Sequence, residues 1–153
     1  MTFRSALFLV LTLSLAAPLG AVAADPAART VSMTAGDDMK FSVTTITAKP
    51  GERLRLVLRV TGTMPKIAMA HNVVVLARGT NLDAFVNASA MARSTNFIAP
   101  AFAKSVIADT GMGGAGDTVQ VTFTGPKTPG RYDFICSFPG HFAGGMRGVL
   151  VVK

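Results

Sequence analysis

A strict alternation of apolar and polar side chains between Arg53 and Val60 constrains the fold of this chain more than any other feature. Leu54, Leu56 and Leu58 lie at every second position before Val60, and arginine occupies three of the four alternating positions 53, 55, 57 and 59. Because successive side chains of a β-strand point to opposite faces, this period predicts a strand with one buried face and one basic face. We interpret the arginines as a solvated sheet surface, with docking of a partner as the less common alternative.

Similar period-two patterns and short apolar runs, bounded by turn residues, recur along the chain. They predict two short strands or one bent strand within residues 31–43, and further strands at 73–77, 119–123, 132–136 and 148–153. Between residues 79 and 116 the spacing becomes helical, with Thr80 or Asn81 as the candidate cap. The expected fold is all-β: a Greek-key β-sandwich of antiparallel or mixed sheets with one short helical excursion.

The first two dozen residues do not fit this domain. Arg4 precedes an apolar stretch at 6–15, and Ala21-Val22-Ala23 has the small residues of a cleavage site, so residues 1–24 are predicted to be a signal peptide. In a chain of 153 residues, the remaining part, 25–153, is expected to form a single domain. The protein is therefore predicted to be exported, to the periplasm.

An uncleaved membrane anchor is the alternative interpretation of the same segment, because residues 6–24 are almost long enough to span a bilayer. Ser14, Pro18 and Gly20 interrupt its apolar character. No stable membrane span is therefore expected. No cysteine lies near the cleavage region, which excludes a lipid anchor attached through a thiol there.

The formal net charge of the chain is +7, which suits solubility or an acidic protein partner. The basic residues are scattered without a run, and the sequence has no tryptophan and no ladder of aromatic residues. A nucleic-acid partner is therefore not expected.

One short loop carries three side chains that are soft or borderline metal ligands, namely Cys136, His141 and Met146. The chain has one cysteine and two histidines, and the other histidine, His71, precedes the apolar run 73–76. An exported cysteine is normally paired in a disulfide, yet Cys136 has no partner in the sequence. A small buried apolar cysteine is one explanation. Metal ligation is favoured because the other donors lie so close in the sequence.

Two imidazoles, one thiolate and one thioether suit copper in both of its common oxidation states. A His₂Cys set with a weak axial methionine is characteristic of blue-copper electron-transfer sites. Zinc rarely takes methionine, and its structural sites need more cysteine or histidine than this chain contains. The sequence therefore predicts one type 1 copper ion bound by His71, Cys136, His141 and Met146. Asn72 is expected to tie the two ligand loops together by hydrogen bonds near the sulfur.

Three segments of this chain resemble the azurins and the related auracyanins, which are blue copper proteins of the cupredoxin family. These segments are Met69-Ala70-His71-Asn72, residues 132–141 with Cys-Ser-Phe-Pro-Gly-His at their end, and Met146-Arg147-Gly148. The similarity extends loosely over residues 31–153. It implies a cupredoxin-like fold and a one-electron carrier, cycling between Cu(I) and Cu(II), that serves exported redox proteins such as cytochromes or reductases.

The resemblance also implies roles for individual positions. His71, Cys136 and His141 match the strong ligands, Met146 matches the axial ligand, and the backbone carbonyl of Ala70 matches a weak contact on the opposite side. The imidazole edge of His141 is expected to reach the surface inside an apolar docking patch formed by Met69, Pro139, Gly140, Phe142 and Ala143. The chain departs from azurins in having one more residue between His141 and Met146, as in auracyanins, and in lacking their disulfide.

Three other functions compete with electron transfer. A copper oxidase or reductase needs further copper sites built from additional histidines, and both histidines are already used; four protein ligands also leave no open position for substrate. An enzyme with Cys136 as nucleophile needs an oxyanion hole and an orienting acid. A copper delivery or storage protein usually has methionine-rich or histidine-rich runs. The sequence shows none of these signals, so it predicts a carrier and not an enzyme.

Overall fold

Eight strands lie in the part of the chain described by the computed structural model, residues 27–153. Their bounds are Arg29–Ala35 (β1), Thr45–Ala48 (β2), Arg53–Val60 (β3), Val74–Leu76 (β4), Val106–Asp109 (β5), Thr118–Thr124 (β6), Gly130–Ile135 (β7) and Arg147–Val152 (β8). Helix α1, Leu82–Ser89, and the 3-10 turns Arg93–Thr95 and Pro100–Ser105 connect β4 to β5. The predicted signal peptide, residues 1–24, lies outside the described residues.

The strands form two sheets that face each other across the core. In the smaller sheet the order is β1-β3-β6, with β1 parallel and β6 antiparallel to β3. In the larger sheet the order is β2-β8-β7-β4-β5, with β2 parallel to β8 and the other pairs antiparallel. The prediction of an all-β sandwich with mixed sheets and a short helical excursion is confirmed.

The alternation in β3 has the expected structural role. Leu54, Leu56 and Leu58 are at most 1% exposed and face the larger sheet, where they belong to the same core cluster as Phe134. Each buried leucine side chain contributes about 2 kcal/mol through the removal of apolar surface from water. The opposite face of β3 is turned to solvent, as its alternating burial shows.

Helix α1 closes a second, smaller core cluster on the other side of the larger sheet. Asn81 is its cap, because the Asn81 Oδ1 accepts a hydrogen bond of 3.0 Å from the backbone N–H of Ala84. Phe85 is fully buried and packs with Val74, Leu76 and Ile135. The helical excursion therefore covers the outer face of strands β4 and β7.

Two parts of the strand prediction are wrong. Residues 39–43 do not form a strand: Met39 has a positive φ of 54°, and Phe41 makes only an isolated bridge to Ala35. The chain turns there because the N–H of Met39 donates to the carbonyl of Gly36 at 3.0 Å. The next strand, β2, begins only at Thr45.

The sequence pattern does not indicate strand β5, because the spacing of apolar residues over 79–116 predicts a helical excursion. Its four residues do not alternate in burial, and only one of them is buried. Pairing with β4, interrupted by an irregularity between Val75 and Leu76, holds it in the sheet. Because this pairing joins residues that are distant in sequence, no local sequence pattern predicts it.

The sheet pairings bring both ligand-carrying segments to one end of the sandwich. Val74 of β4 pairs with Ile135 of β7, and Ile135 pairs in turn with Arg147 of β8. The residues just before Val74, just after Ile135 and just before Arg147 therefore lie side by side. Among residues 27–153, none of the helices has the length and apolar character needed to cross a bilayer.

Candidate metal centre

Three of the four predicted ligands meet at the end of the sandwich. The donor atoms of His71, Cys136 and His141 all lie within 4.8 Å of one another. The Cys136 Sγ is 3.4 Å from the His141 Nδ1, and the two imidazole ring centroids are 4.8 Å apart. All three side chains are buried, with exposures of 0%, 0% and 2%. Such a cluster has the size and the chemistry of a site for a single metal ion.

His71 is held by its backbone at the entrance to β4. Its N–H and carbonyl form a reciprocal pair of 2.9 Å hydrogen bonds with Gly113. Yet neither nitrogen of the buried imidazole ring has a hydrogen-bond partner among the described residues. An unpartnered buried polar group costs about 1–3 kcal/mol, which favours a ligand role for this ring over a purely structural one. A metal ion bound at one of the two ring nitrogens would satisfy that nitrogen.

The electrostatics of the site favour the metal-binding forms of both histidines. Burial, together with the smaller effect of the neighbouring His71, lowers the pKa of His141 to about 4. Burial is also the largest cause of the lowered pKa of His71, which Asp37, Asp38 and the Gly36 backbone partly oppose. Both rings are therefore neutral at neutral pH and can offer a lone pair to a metal.

Cys136 is placed in an environment that disfavours a free thiolate. Burial, with a smaller contribution from Asp109, raises the pKa of its thiol to about 12. No disulfide involves Cys136, whose Sγ lies 3.9 Å from the carbonyl oxygen of Ala70. A metal cation would compensate the thiolate charge at this site, whereas a nucleophilic role would require the low pKa that the surroundings do not provide.

Met146 closes the loop that begins at Cys136. Its side chain is fully buried in the same cluster as Cys136. Its N–H donates to the His141 carbonyl at 2.9 Å, and its carbonyl accepts from the Cys136 N–H at 3.2 Å. Gly145, with a φ of 87°, provides the left-handed turn that brings the chain back toward the core.

Asn72 ties the two ligand segments together, as the sequence predicted. Its Oδ1 accepts from the Ser137 N–H at 2.9 Å, and its Nδ2 donates to the Ser137 Oγ at 3.0 Å. Asn72 is fully buried. The hydrogen bonds join the residue after His71 to the residue after Cys136, so they fix the spacing between two of the candidate ligands.

One member of this network was missed by the sequence analysis. Asp109, at the end of β5, accepts a 3.2 Å hydrogen bond from the Asn72 Nδ2 and a 3.0 Å bond from the Gly111 N–H. Burial is the main cause that raises the pKa of its carboxyl group. The only signal in the sequence is an acidic residue that follows the apolar run 106–108. This signal can be interpreted only once β5 is known to pair with β4.

His141 is 2% exposed, so at most a narrow edge of its imidazole ring reaches the surface above the site. The ring lies against Phe138, with centroids 4.7 Å apart, and against His71. Of the residues predicted to form the docking patch, Pro139, Gly140 and Ala143 are exposed, and Met69 and Phe142 are half-buried.

Comparison with known proteins identifies the family. Residues 27–153 match the family described as copper binding proteins, plastocyanin/azurin family. The azurin of Alcaligenes faecalis is 36% identical over 116 residues, which cover 74% of this chain and 90% of the azurin. An auracyanin structure from Roseiflexus castenholzii is 30% identical, with a TM-score of 0.70, covering 83% of this chain and 98% of the auracyanin.

A longer relative is also similar. The outer membrane protein H.8 of Neisseria meningitidis serogroup B is 35% identical over 109 residues, which cover 70% of this chain and only 58% of that protein. The buried His-Cys-His cluster with its adjacent methionine agrees with the cofactor of the family. The chain therefore belongs to the plastocyanin/azurin family of copper-binding proteins, as a blue copper cupredoxin whose cofactor is one type 1 copper ion.

Proposed function

We propose that this chain is a one-electron carrier between exported redox proteins, with its copper ion held by His71, Cys136, His141 and Met146 and weakly contacted by the Ala70 carbonyl. When bound, copper supplies the one-electron couple between Cu(I) and Cu(II). The observation that carries this proposal is the closed donor cluster: three donor atoms within 4.8 Å of one another, buried at 0–2% exposure.

The surroundings of the cluster suit fast electron transfer. His71 is fixed by two backbone bonds to Gly113, and Cys136 is fixed through Ser137 by Asn72. Donors that are held in place by the protein cannot rearrange much when the charge of the site changes. The carrier role is also favoured over catalysis, because both histidines of the chain belong to this one site and leave none for a substrate-binding metal.

Export to the periplasm is part of the same proposal. It is supported by the signal-peptide pattern in residues 1–24. One relative is named an outer membrane protein, which agrees with an exported location. Cytochromes or reductases of the same compartment are the proposed donors and acceptors.

A redox titration tests the carrier role. The purified protein without residues 1–24 is loaded with cupric ion, reduced with dithionite and reoxidised with ferricyanide while the visible spectrum is recorded. We expect an intense band that bleaches with one electron per copper and returns fully over repeated cycles. If the protein consumed more dioxygen than is needed to reoxidise its copper, it would be an oxidase and not a carrier. A colourless copper complex would contradict the assignment of a blue-copper site.

Partners are proposed to dock on the apolar patch over His141, and Ala143 offers a direct test. Ala143 is exposed, so Ala143→Asp adds a charge without removing a packed side chain. We expect electron exchange with a c-type cytochrome to slow about tenfold or more, because a carboxylate must be desolvated in the contact, while the visible spectrum stays unchanged.

The matched control for this variant is Gln120→Glu. Gln120 is exposed on β6 of the smaller sheet, and the substitution adds the same charge with an almost identical shape. We expect it to leave the exchange rate within about twofold of the original. If both variants slowed exchange equally, net charge would be responsible, and the patch over His141 would not be the exit route.

A further inference from the structure

The charges of this domain are separated along the axis of the sandwich. The end that carries the metal centre consists of residues 36–44, 61–72, 91–97, 109–117 and 136–147. These segments hold four basic residues and four acidic ones: Lys40, Lys66, Arg93 and Arg147 against Asp37, Asp38, Asp109 and Asp117. The metal-binding end is therefore formally neutral, although residues 27–153 are strongly basic as a whole.

The opposite end, which we call the basic pole, consists of residues 27–30, 48–54, 77–79, 125–131 and 152–153. Seven basic residues lie in these segments, and Glu52 is their only acidic residue. Six of the basic side chains are exposed: Arg29, Lys49, Arg78, Lys127, Arg131 and Lys153. Nearly all of the excess positive charge thus lies on the end farthest from the copper site.

The contacts between the strand ends place these segments together. The Gly51 N–H donates to the Pro126 carbonyl at 3.0 Å, and the Gly125 N–H donates to the Glu52 carbonyl at 2.8 Å. The Lys153 N–H donates to the Ala48 carbonyl at 3.0 Å. The two sheets therefore contribute their ends to one surface.

Some of the cations on this surface are held by rigid backbone. Lys49 and Lys127 lie next to Pro50 and Pro126, whose fixed φ angles restrict these turns. Arg29 bonds to the Thr47 carbonyl at 2.7 Å as well as to Glu52. The charges are held on the turns of the domain, and they do not depend on a flexible tail for their placement.

The chemistry of the basic pole fits a lipid surface better than a specific protein partner. Protein interfaces usually rely on a few large apolar or aromatic anchors. The large apolar side chains that are exposed in the described residues are Met64, Ile67 and Met91, and all three lie on the metal-binding end. Spread lysines and arginines without apolar anchors match a diffuse field of anionic headgroups, to which each contributes weakly.

We propose that the basic pole binds the surface of a membrane rich in anionic phospholipids. In this orientation the strands stand on the surface, and the metal-binding end points away from it. The eight residues of β3 span about 26 Å at ~3.3 Å per residue, well beyond the Debye length of ~8 Å at physiological salt. The apolar patch over His141 thus remains accessible to redox partners while the carrier is held at the membrane.

Vesicle binding tests this proposal, with the copper-loaded protein lacking residues 1–24. Sedimentation is compared for vesicles of phosphatidylcholine alone and vesicles containing about one-third phosphatidylglycerol, at ionic strengths of about 0.02 M and 0.15 M. We expect binding to the anionic vesicles alone, weakening as salt rises. Equal binding to both vesicle types, or none to anionic vesicles at low salt, would overturn the proposal.

A pair of charge variants tests the orientation. The double variant K49Q and K127Q removes two cations from the basic pole, and the matched control K66Q and R93Q removes two from the metal-binding end. Each cation removed from a membrane-bound surface is expected to lower the partition coefficient onto anionic vesicles about fivefold. The variant of the basic pole should therefore lose about 25-fold in partition coefficient, and the control should lose less than about twofold. Equal losses would show that only net charge matters and would overturn the oriented model.

The two other kinds of anionic partner are distinguished in the same assay. A polyglutamate peptide and a DNA duplex compete with the vesicles at equal charge concentration. We expect the lipid surface to retain the protein, because it presents many headgroups to the whole pole at once. Preferential transfer to the peptide or to the duplex would assign the pole to an acidic protein or to a nucleic acid and would contradict lipid binding.

Discussion

Replacement of Cys136 by serine is expected to abolish the intense visible absorption of the copper-loaded protein. The absorption is expected from charge transfer between a thiolate and cupric copper, and Cys136 is the only cysteine in the chain. Serine has nearly the same size but a hard oxygen that is a poor donor to copper. The band should fall by more than about tenfold, while the protein remains folded.

The measurement is the visible spectrum of both proteins after loading with cupric ion, normalised to bound copper. The control is the thermal unfolding of the metal-free forms. Cys136 is buried and its thiol is held protonated by a pKa of about 12, so the metal-free variant should unfold within a few degrees of the original. A band that survives the substitution would remove Cys136 from the copper site and with it the blue-copper assignment of these residues.

Replacement of Asn72 by alanine is expected to cause the largest loss of stability among single polar substitutions at the site. The side chain is fully buried and bonds to the Ser137 N–H, the Ser137 Oγ and the Asp109 carboxylate. Its removal leaves the Ser137 N–H and Asp109 without these bonds in a buried region. We expect the free energy of unfolding to fall by about 2–4 kcal/mol.

Chemical denaturation of the metal-free protein measures this loss, and Asn87→Ala is the matched control. Asn87 is exposed on α1, so the same substitution there should change stability by less than about 0.5 kcal/mol. In the copper-loaded protein, Asn72→Ala should also shift the visible band, because the spacing between the His71 and Cys136 segments is no longer fixed. A change confined to stability, with an unaltered spectrum, would show that Asn72 supports the fold but does not shape the copper site.

The predictable part of this structure is the part encoded by local periodicity. The alternation in β3 specifies both its strand and its buried face, and the side chain of Asn81 specifies the start of α1. The residue types of the candidate metal ligands could also be predicted, because a chain with one cysteine and two histidines has few ways to assemble a soft metal site. In each case the determining residues lie close together or are rare in the sequence.

The unpredicted part depends on contacts between distant segments. Strand β5 exists because it pairs with β4, and this pairing is what brings Asp109 to Asn72. The burial of His141 likewise results from the packing of its ring between Phe138 and His71, which are set by two different loops. The residue types alone do not indicate which distant segments become neighbours in the folded protein.

The pairing of Ile135 with Arg147 has a consequence for how this protein can diversify. The register of β7 and β8 is set below the loop 136–146, so residues can be added to or removed from the loop without shifting the sheet. The extra residue before Met146 is one such change. The length of the loop that carries three of the candidate ligands can therefore change while the paired strands beneath it keep their register and continue to hold the fold together.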